Sequence, residues 1–154
     1  MTNLLDEHEM YGDPNPESVE MLSARSAALE VLDKVLNQKQ ALDISLEKSD
    51  SFRTLPSRDK AFARMIVSTT LRRLGQIDDL IEKSEERPGS ASRNMMLQNI
   101  LRLGVAQIMF MNVPDHAAVD TAVRLADGAG MERQKGFVNG LLRNIIRNGP
   151  EFMS

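Results

Sequence analysis

Cysteine is absent from the 154-residue sequence, and with it go disulfides, thiolate metal ligands and every reaction that begins from a cysteine nucleophile. Tryptophan is absent too, tyrosine occurs once and phenylalanine five times, so a core must come from Leu, Ile, Val, Ala and ten Met. That mixture suits helix packing better than sheet packing. Histidine is scarce: His8 and His116 lie far apart, and neither has a partner at ligand spacing. No serine is surrounded by the glycines of a nucleophile elbow. His116 falls in the first turn of a helix, where capping or packing is the ordinary role. No glycine-rich turn follows a strand, which removes the usual cradles for ATP and dinucleotides, and Gly128 with Gly130 joins helix to helix. Glu85 and Glu86 are adjacent rather than facing, an arrangement that gives a solvated surface and not an acid/base pair. The reading is a chain without catalytic residues, metal or cofactor.

Long hydrophobic runs are also missing. Met95 to Phe110 is the most apolar stretch, but it carries Arg102 and falls short of the roughly 20 residues a bilayer requires. No basic-then-apolar leader opens the chain, so a cytoplasmic protein with no membrane partner is expected. Positive charge is absent from residues 1–22, which hold Asp6, Glu7, Glu9, Asp13, Glu17 and Glu20. The formal net charge of −3 therefore hides a remainder that is net basic. Two regions follow: an acidic tail over residues 1–22 and a helical domain over residues 23–154.

What is present is helical periodicity. Ala24, Ala28, Val31, Leu32, Val35 and Leu36 share one side of a helix over Ala24 to Asn37, with Arg25 on that same apolar side. Such an arginine must snorkel, pair or meet a ligand. A short helix is expected over Ala41 to Leu46, and a longer one capped by Ser57, with Asp59 in its first turn, running to Leu74 and stopped by Gly75. Ile77 to Lys83 gives a second short helix, ended by Arg87, Pro88 and Gly89. Met95 to Phe110 is apolar on almost every face, with Gln98, Asn99 and Arg102 as a narrow polar edge, so it reads as the central buried helix. Further helices run from Pro114 and Asp115 to Ala126 and from Arg133 to Arg147. The fold class is all-α, with about five main helices and two short ones. Leu97 to Gly104 and Leu142 to Gly149 share Leu, Asn, Ile, Arg and Gly in register, too few units for a repeat array.

Positive charge is arranged in rows. In the last helix Lys135, Asn139, Arg143 and Arg147 are spaced by four, opposite Phe137, Val138, Leu141, Leu142 and Ile145, with Gly136 and Gly140 bordering the row. Lys60, Arg64, Ser68 and Arg72 repeat the spacing in the helix after Ser57, and Arg73 adds charge nearby. Spacing alone describes an ordinary solvated face equally well. If such rows bind nucleic acid, the scarcity of aromatics places the weight on phosphate, amide and guanidinium contacts.

Four ordered blocks carry a family resemblance. The first is Arg25 with its helix, and the second is Leu55-Pro56-Ser57-Arg58-Asp59-Lys60-Ala61-Phe62-Ala63-Arg64 continuing to Thr70-Leu71-Arg72-Arg73. The third is Ile100-Leu101-Arg102-Leu103-Gly104 followed by Gln107, Phe110 and Val113 to Val119, and the fourth is Lys135-Gly136-Phe137-Val138-Asn139-Gly140-Leu141-Leu142-Arg143. Together they resemble the NusB-like domain that begins bacterial ribosomal RNA cytosine-5 methyltransferases of the RsmB (Fmu) type, with the NusB antitermination factors as near relatives. The resemblance implies two small helical bundles packed together and a role in binding or positioning RNA. The RNA-contacting set is then Arg25, Arg58, Lys60, Arg64, Arg72, Arg73, Lys135, Asn139, Arg143 and Arg147. The implied partners are RNA, ribosomal in kind, and a methyltransferase catalytic domain or another protein on a helical face; DNA is not expected. Two departures matter. The methyltransferases carry a further domain with an S-adenosylmethionine loop and attacking cysteines, so a chain ending at Ser154 without cysteine is not expected to be an enzyme. NusB tends to have a basic N-terminal segment that touches RNA, whereas residues 1–22 here are acidic. The other readings are a free-standing antitermination factor and a helical docking module that never touches RNA.

Overall fold

The computed structural model describes residues 16–153 and contains eight α-helices among them: α1 (Pro16–Leu36), α2 (Leu42–Lys48), α3 (Asp50–Arg53), α4 (Ser57–Arg72), α5 (Leu74–Ser84), α6 (Met95–Phe110), α7 (Asp115–Gly128) and α8 (Lys135–Met153). A 3₁₀ turn, Glu132–Gln134, leads into α8. No strand occurs among the described residues. Residues 1–15 of the acidic segment, with His8, lie outside the described residues, and α1 begins at Pro16.

Helices α1 to α4 pack as one group and α5 to α8 as another, and α6 joins them by touching α1, α4, α5, α7 and α8. Its composition explains this position: Ile100, Leu101, Leu103, Val105 and Ala106 point in different directions around the helix and are all buried. Asn94 caps it, its side chain accepting a hydrogen bond from the Leu97 N–H at 3.1 Å. Of the narrow polar edge read from the sequence, Gln98 is half-buried and the other two residues turn inward. Asn99 is fully buried and Arg102 nearly so, with the Arg102 guanidinium forked onto Asp78 of α5 at 2.8 and 2.9 Å and its third nitrogen donating to Asn99 Oδ1 at 2.9 Å. The fork matches carboxylate geometry and fixes α5 on α6.

Four local expectations are corrected. Ser57 is the first residue of α4 rather than its cap; Pro56, already extended, holds that position and no side chain caps the turn. Gly75 does not stop a helix. The break falls at Arg73, and α5 runs through Gly75 because Ile77, Leu80, Ile81 and Ser84 bury one continuous face. A helix missed in the preceding loop, α3, forms where Ser49 Oγ accepts from the Phe52 N–H at 3.2 Å and Phe52 enters the core. Finally, α8 continues through Pro150, and its end is tied to α5 by Lys83 Nζ donating to the Phe152 carbonyl at 3.0 Å.

The glycines shared by the two similar segments mark where α6 and α8 come together. A Cβ on Gly104 would lie 2.9 Å from Leu142 Cδ1, and one on Gly149 would lie 2.8 Å from Met109 Sδ. At Gly140, by contrast, a Cβ meets nothing within 4 Å. Gly104→Ala should therefore destabilise the protein by about 1–2 kcal/mol through overpacking against a buried leucine. Gly140→Ala should stabilise it by about 0.5–1 kcal/mol, because glycine is a poor helix former and no clash opposes the gain. Urea titration of both variants checks the pair, and shifts of the same sign would contradict the packing described.

Candidate nucleic-acid interface

Helix α8 owes its polar face to its apolar one. Val138, Leu141, Leu142 and Ile145 are buried, which leaves Lys135, Asn139, Arg143 and Arg147 along the outer side, each step of four drifting by about 40°. Arg143 and Arg147 are exposed, while Lys135 and Asn139 are half-buried. Arg143 Nε donates to Asn139 Oδ1 at 3.1 Å, so the asparagine orients the guanidinium. Lys135 Nζ stands 3.9 Å from Asp127, a loose exposed pair. Arg147 has no side-chain hydrogen bond or ion pair among the described residues.

The row on α4 is engaged differently. Arg64 lies over the Phe52 ring at 5.6 Å, in a shallow hollow that also holds Asp43, Glu47 and Arg53. Arg73 lies over Phe110 at 4.8 Å and donates to Gln76 Oε1 at 3.1 Å. Arg72 reaches Thr69 Oγ1 at 3.5 Å, Lys60 is half-buried and Arg58 is exposed. The helices that carry the two rows do not touch: α4 packs on α1, α3, α5 and α6, whereas α8 packs on α5, α6 and α7.

Arg25 leaves the surface set. It is 3% exposed, its Nε donates to Gln107 Oε1 at 2.8 Å, Nη1 donates to the Met21 carbonyl at 3.0 Å, and the guanidinium lies over Phe62 at 4.7 Å. Burial lowers its pKa to about 10, still far above neutrality, so the charge persists inside the fold. Among the choices the sequence left open, pairing is the one the structure shows, and the side chain ties α1 to α6.

A cleft of about 700 Å³ lies beside the α8 row. It is lined by Ser84 at the end of α5, by Glu86, Arg87 and Ser90 of the following loop, and by Gly136, Phe137, Gly140, Leu141, Asn144 and Arg147 of α8. The loop holds its shape through Glu85, whose carboxylate accepts from the Ser90 and Ala91 N–H groups at 2.6 and 3.4 Å, and through Gly89 at φ +86°. Asn144 Nδ2 donates to the Ser84 carbonyl at 3.3 Å and joins the two walls. Arg87, read only as part of a helix stop, thus shares a cleft with Arg147 through a long-range fold contact that no local pattern encodes. Elsewhere, no group of three or more His, Cys, Asp or Glu residues that could hold a metal ion occurs among the described residues. No helix there is long and apolar enough to cross a membrane.

Residues 22–147 match the NusB family, most of the chain and all of the elements from α1 into α8. The chain belongs to the NusB family. Among curated relatives it is 29% identical over 130 residues to the ribosomal RNA small subunit methyltransferase B of Escherichia coli O157:H7, covering 84% of this chain and 30% of that protein. It is 31% identical over 128 residues to the probable methyltransferase of the same description from a Synechocystis species, covering 82% of this chain and 28% of that protein. This NusB-family chain thus spans about 30% of the length of the curated relatives it matches. Solved structures agree on the fold. A chain in a complex of the antitermination factors NusB and NusE with double-stranded RNA superposes with a TM-score of 0.72 at 26% identity, covering 83% of this chain and 96% of that one. NusB from T. maritima superposes with a TM-score of 0.70 at 25% identity, covering 88% and 97%.

Proposed function

We propose that this NusB-family chain binds RNA along α8 and serves as the non-catalytic, RNA-positioning part of a ribosomal RNA methyltransferase system in the cytoplasm. The observation that carries the reading is the outward row of α8, where Arg143 is held ready by Asn139 and Arg147 is unpaired beside an open cleft. Guanidinium groups so placed match phosphate oxygens, and the glycines beside them let a backbone come close. Relatives named as ribosomal RNA methyltransferases and a structural neighbour solved with double-stranded RNA support the same reading. Filter binding with ribosomal RNA fragments across a salt series tests it: retention at low salt that falls steeply as salt rises is the expected result.

The positioning role carries a second expectation. Incubated with ribosomal RNA and labelled S-adenosylmethionine, the 154-residue chain should transfer no methyl group, because it contains no thiol to attack cytosine. Methylated cytosine after digestion of that RNA would overturn the division of labour.

A further inference from the structure

We infer that the cleft between the end of α5, the loop after it and α8 is the docking site of the chain's own acidic N-terminal segment, held through Asp6, Glu7 and Glu9, and that this contact competes with RNA for α8. The competition, though not the docking, rests on the RNA reading above. The first observation is a set of unanswered donors. Arg87 and Arg147 line the cleft, and neither side chain has an ion pair or hydrogen bond among the described residues. Ser84 lines it too, and its Oγ is buried without a hydrogen-bond partner, while its carbonyl is already served by Asn144. Two guanidinium forks and a hydroxyl match carboxylate oxygens, and a buried polar atom left unpaired is a standing cost that such an oxygen relieves. Glu86 supplies a single carboxylate to the lining, so positive charge remains in excess. A Cβ on Gly136 or Gly140 would meet nothing within 4 Å, which leaves the α8 wall open to an extended backbone.

The second observation is charge complementarity within reach. Residues 1–15 hold Asp6, Glu7, Glu9 and Asp13 and no lysine or arginine. Near its start α1 meets α7, where Met21 shares a groove with His116 and Asp120, and α7 in turn packs on α8. At 8–10 Å for each helix pair, α8 stands about 20 Å from the start of α1. The seven residues from Glu9 to Pro16 extend to about 23 Å and the ten from Asp6 to about 33 Å, so these acids reach the cleft. Asp13 does not, because its three residues extend to only about 10 Å. Tethering also keeps the acids at an effective concentration of about a millimolar, so contacts too weak to hold a free peptide suffice. Arg147 belongs both to the cleft and to the outward row of α8, and a carboxylate on it excludes a phosphate.

The test uses the full chain, first without RNA. Because the sequence has no cysteine, His8→Cys gives one attachment point for a nitroxide. At low salt the label should broaden the amide resonances of Ser90, Gly136 and Gly140 and spare Gly75 at the far end of α5; Arg87→Ala or high salt should abolish the effect. No broadening at the cleft, or equal broadening at Gly75, overturns the docking. RNA then tests the competition. Asp6→Asn, Glu7→Gln and Glu9→Gln together should tighten binding of a ribosomal RNA fragment roughly tenfold at low salt, the factor for a cleft occupied about nine-tenths of the time, and the gain should fade as salt rises. Asp13→Asn should leave affinity unchanged. A gain shared evenly by all four acids would show diffuse repulsion of RNA and overturn the site. Broadening in a chain that retains no RNA upholds the docking and removes the RNA reading together with the competition, whereas RNA retention without broadening leaves the α8 reading standing and removes the docking.

Discussion

Leu101→Ala is expected to cost about 2–5 kcal/mol of stability, the range for a leucine whose removal leaves a cavity that its surroundings cannot close. Leu101 is fully buried at the middle of α6, and its neighbours Ile100 and Leu103 are buried as well. Relaxation into the void is opposed because α6 is gripped from both groups of helices, and Arg102 pins it further to Asp78. For a chain of this size the loss corresponds to roughly 4–20 °C in melting temperature. Circular dichroism at 222 nm should show a single cooperative transition that moves down intact, since α6 belongs to both bundles and neither is whole without it. A loss below about half a kilocalorie would place Leu101 at the surface and contradict the architecture.

The parts of this fold that were legible in the sequence are those with long-range periodicity. Residues 95–110 read as the central helix because apolar side chains surround it, and α8 read as amphipathic because its polar row repeats every four residues. Both signals are carried by one helix alone. The misreadings fall where tertiary contact overrides a local cue. Gly75 is a helix breaker by propensity, yet burial of Ile77, Leu80 and Ile81 extends α5 over it. Ser57 had the chemistry of a cap but stands one residue too late. Arg25 shows the limit for the site: its angle placed it correctly on the apolar side, but its partner Gln107 lies in α6, 82 residues along the chain, and no spacing rule reaches that far. The cleft was hidden for the same reason, because Arg87 and Arg147 come together only when the loop after α5 folds against α8. The one trace in the sequence was the pair Gly136 and Gly140, which border the basic row where a helix has no conformational need of glycine.

Replacing Arg143 and Arg147 together by Ala should weaken RNA binding across unrelated RNA sequences and flatten the dependence of log K on log salt by roughly one unit per lost phosphate contact. Both side chains are exposed and neither supports the core, so the variant should melt where the wild-type chain does, which separates lost contacts from lost structure. Asn139→Ala makes a sharper companion. Its Oδ1 accepts from Arg143 Nε, so its removal frees the guanidinium without removing a charge. Affinity should then drop by less than in the double variant while the salt slope stays near that of the wild-type chain, because the number of neutralised phosphates is unchanged. A change of preference among RNA sequences on Asn139→Ala would show instead that the amide reads a base edge. The docking-module reading predicts the opposite pattern: RNA affinity and slope indifferent to both arginines, and a protein complex weakened by their loss. A filter-binding titration at several salt concentrations decides between them. An unchanged slope in the double variant would remove α8 from the RNA interface and leave a protein partner as the occupant of this face.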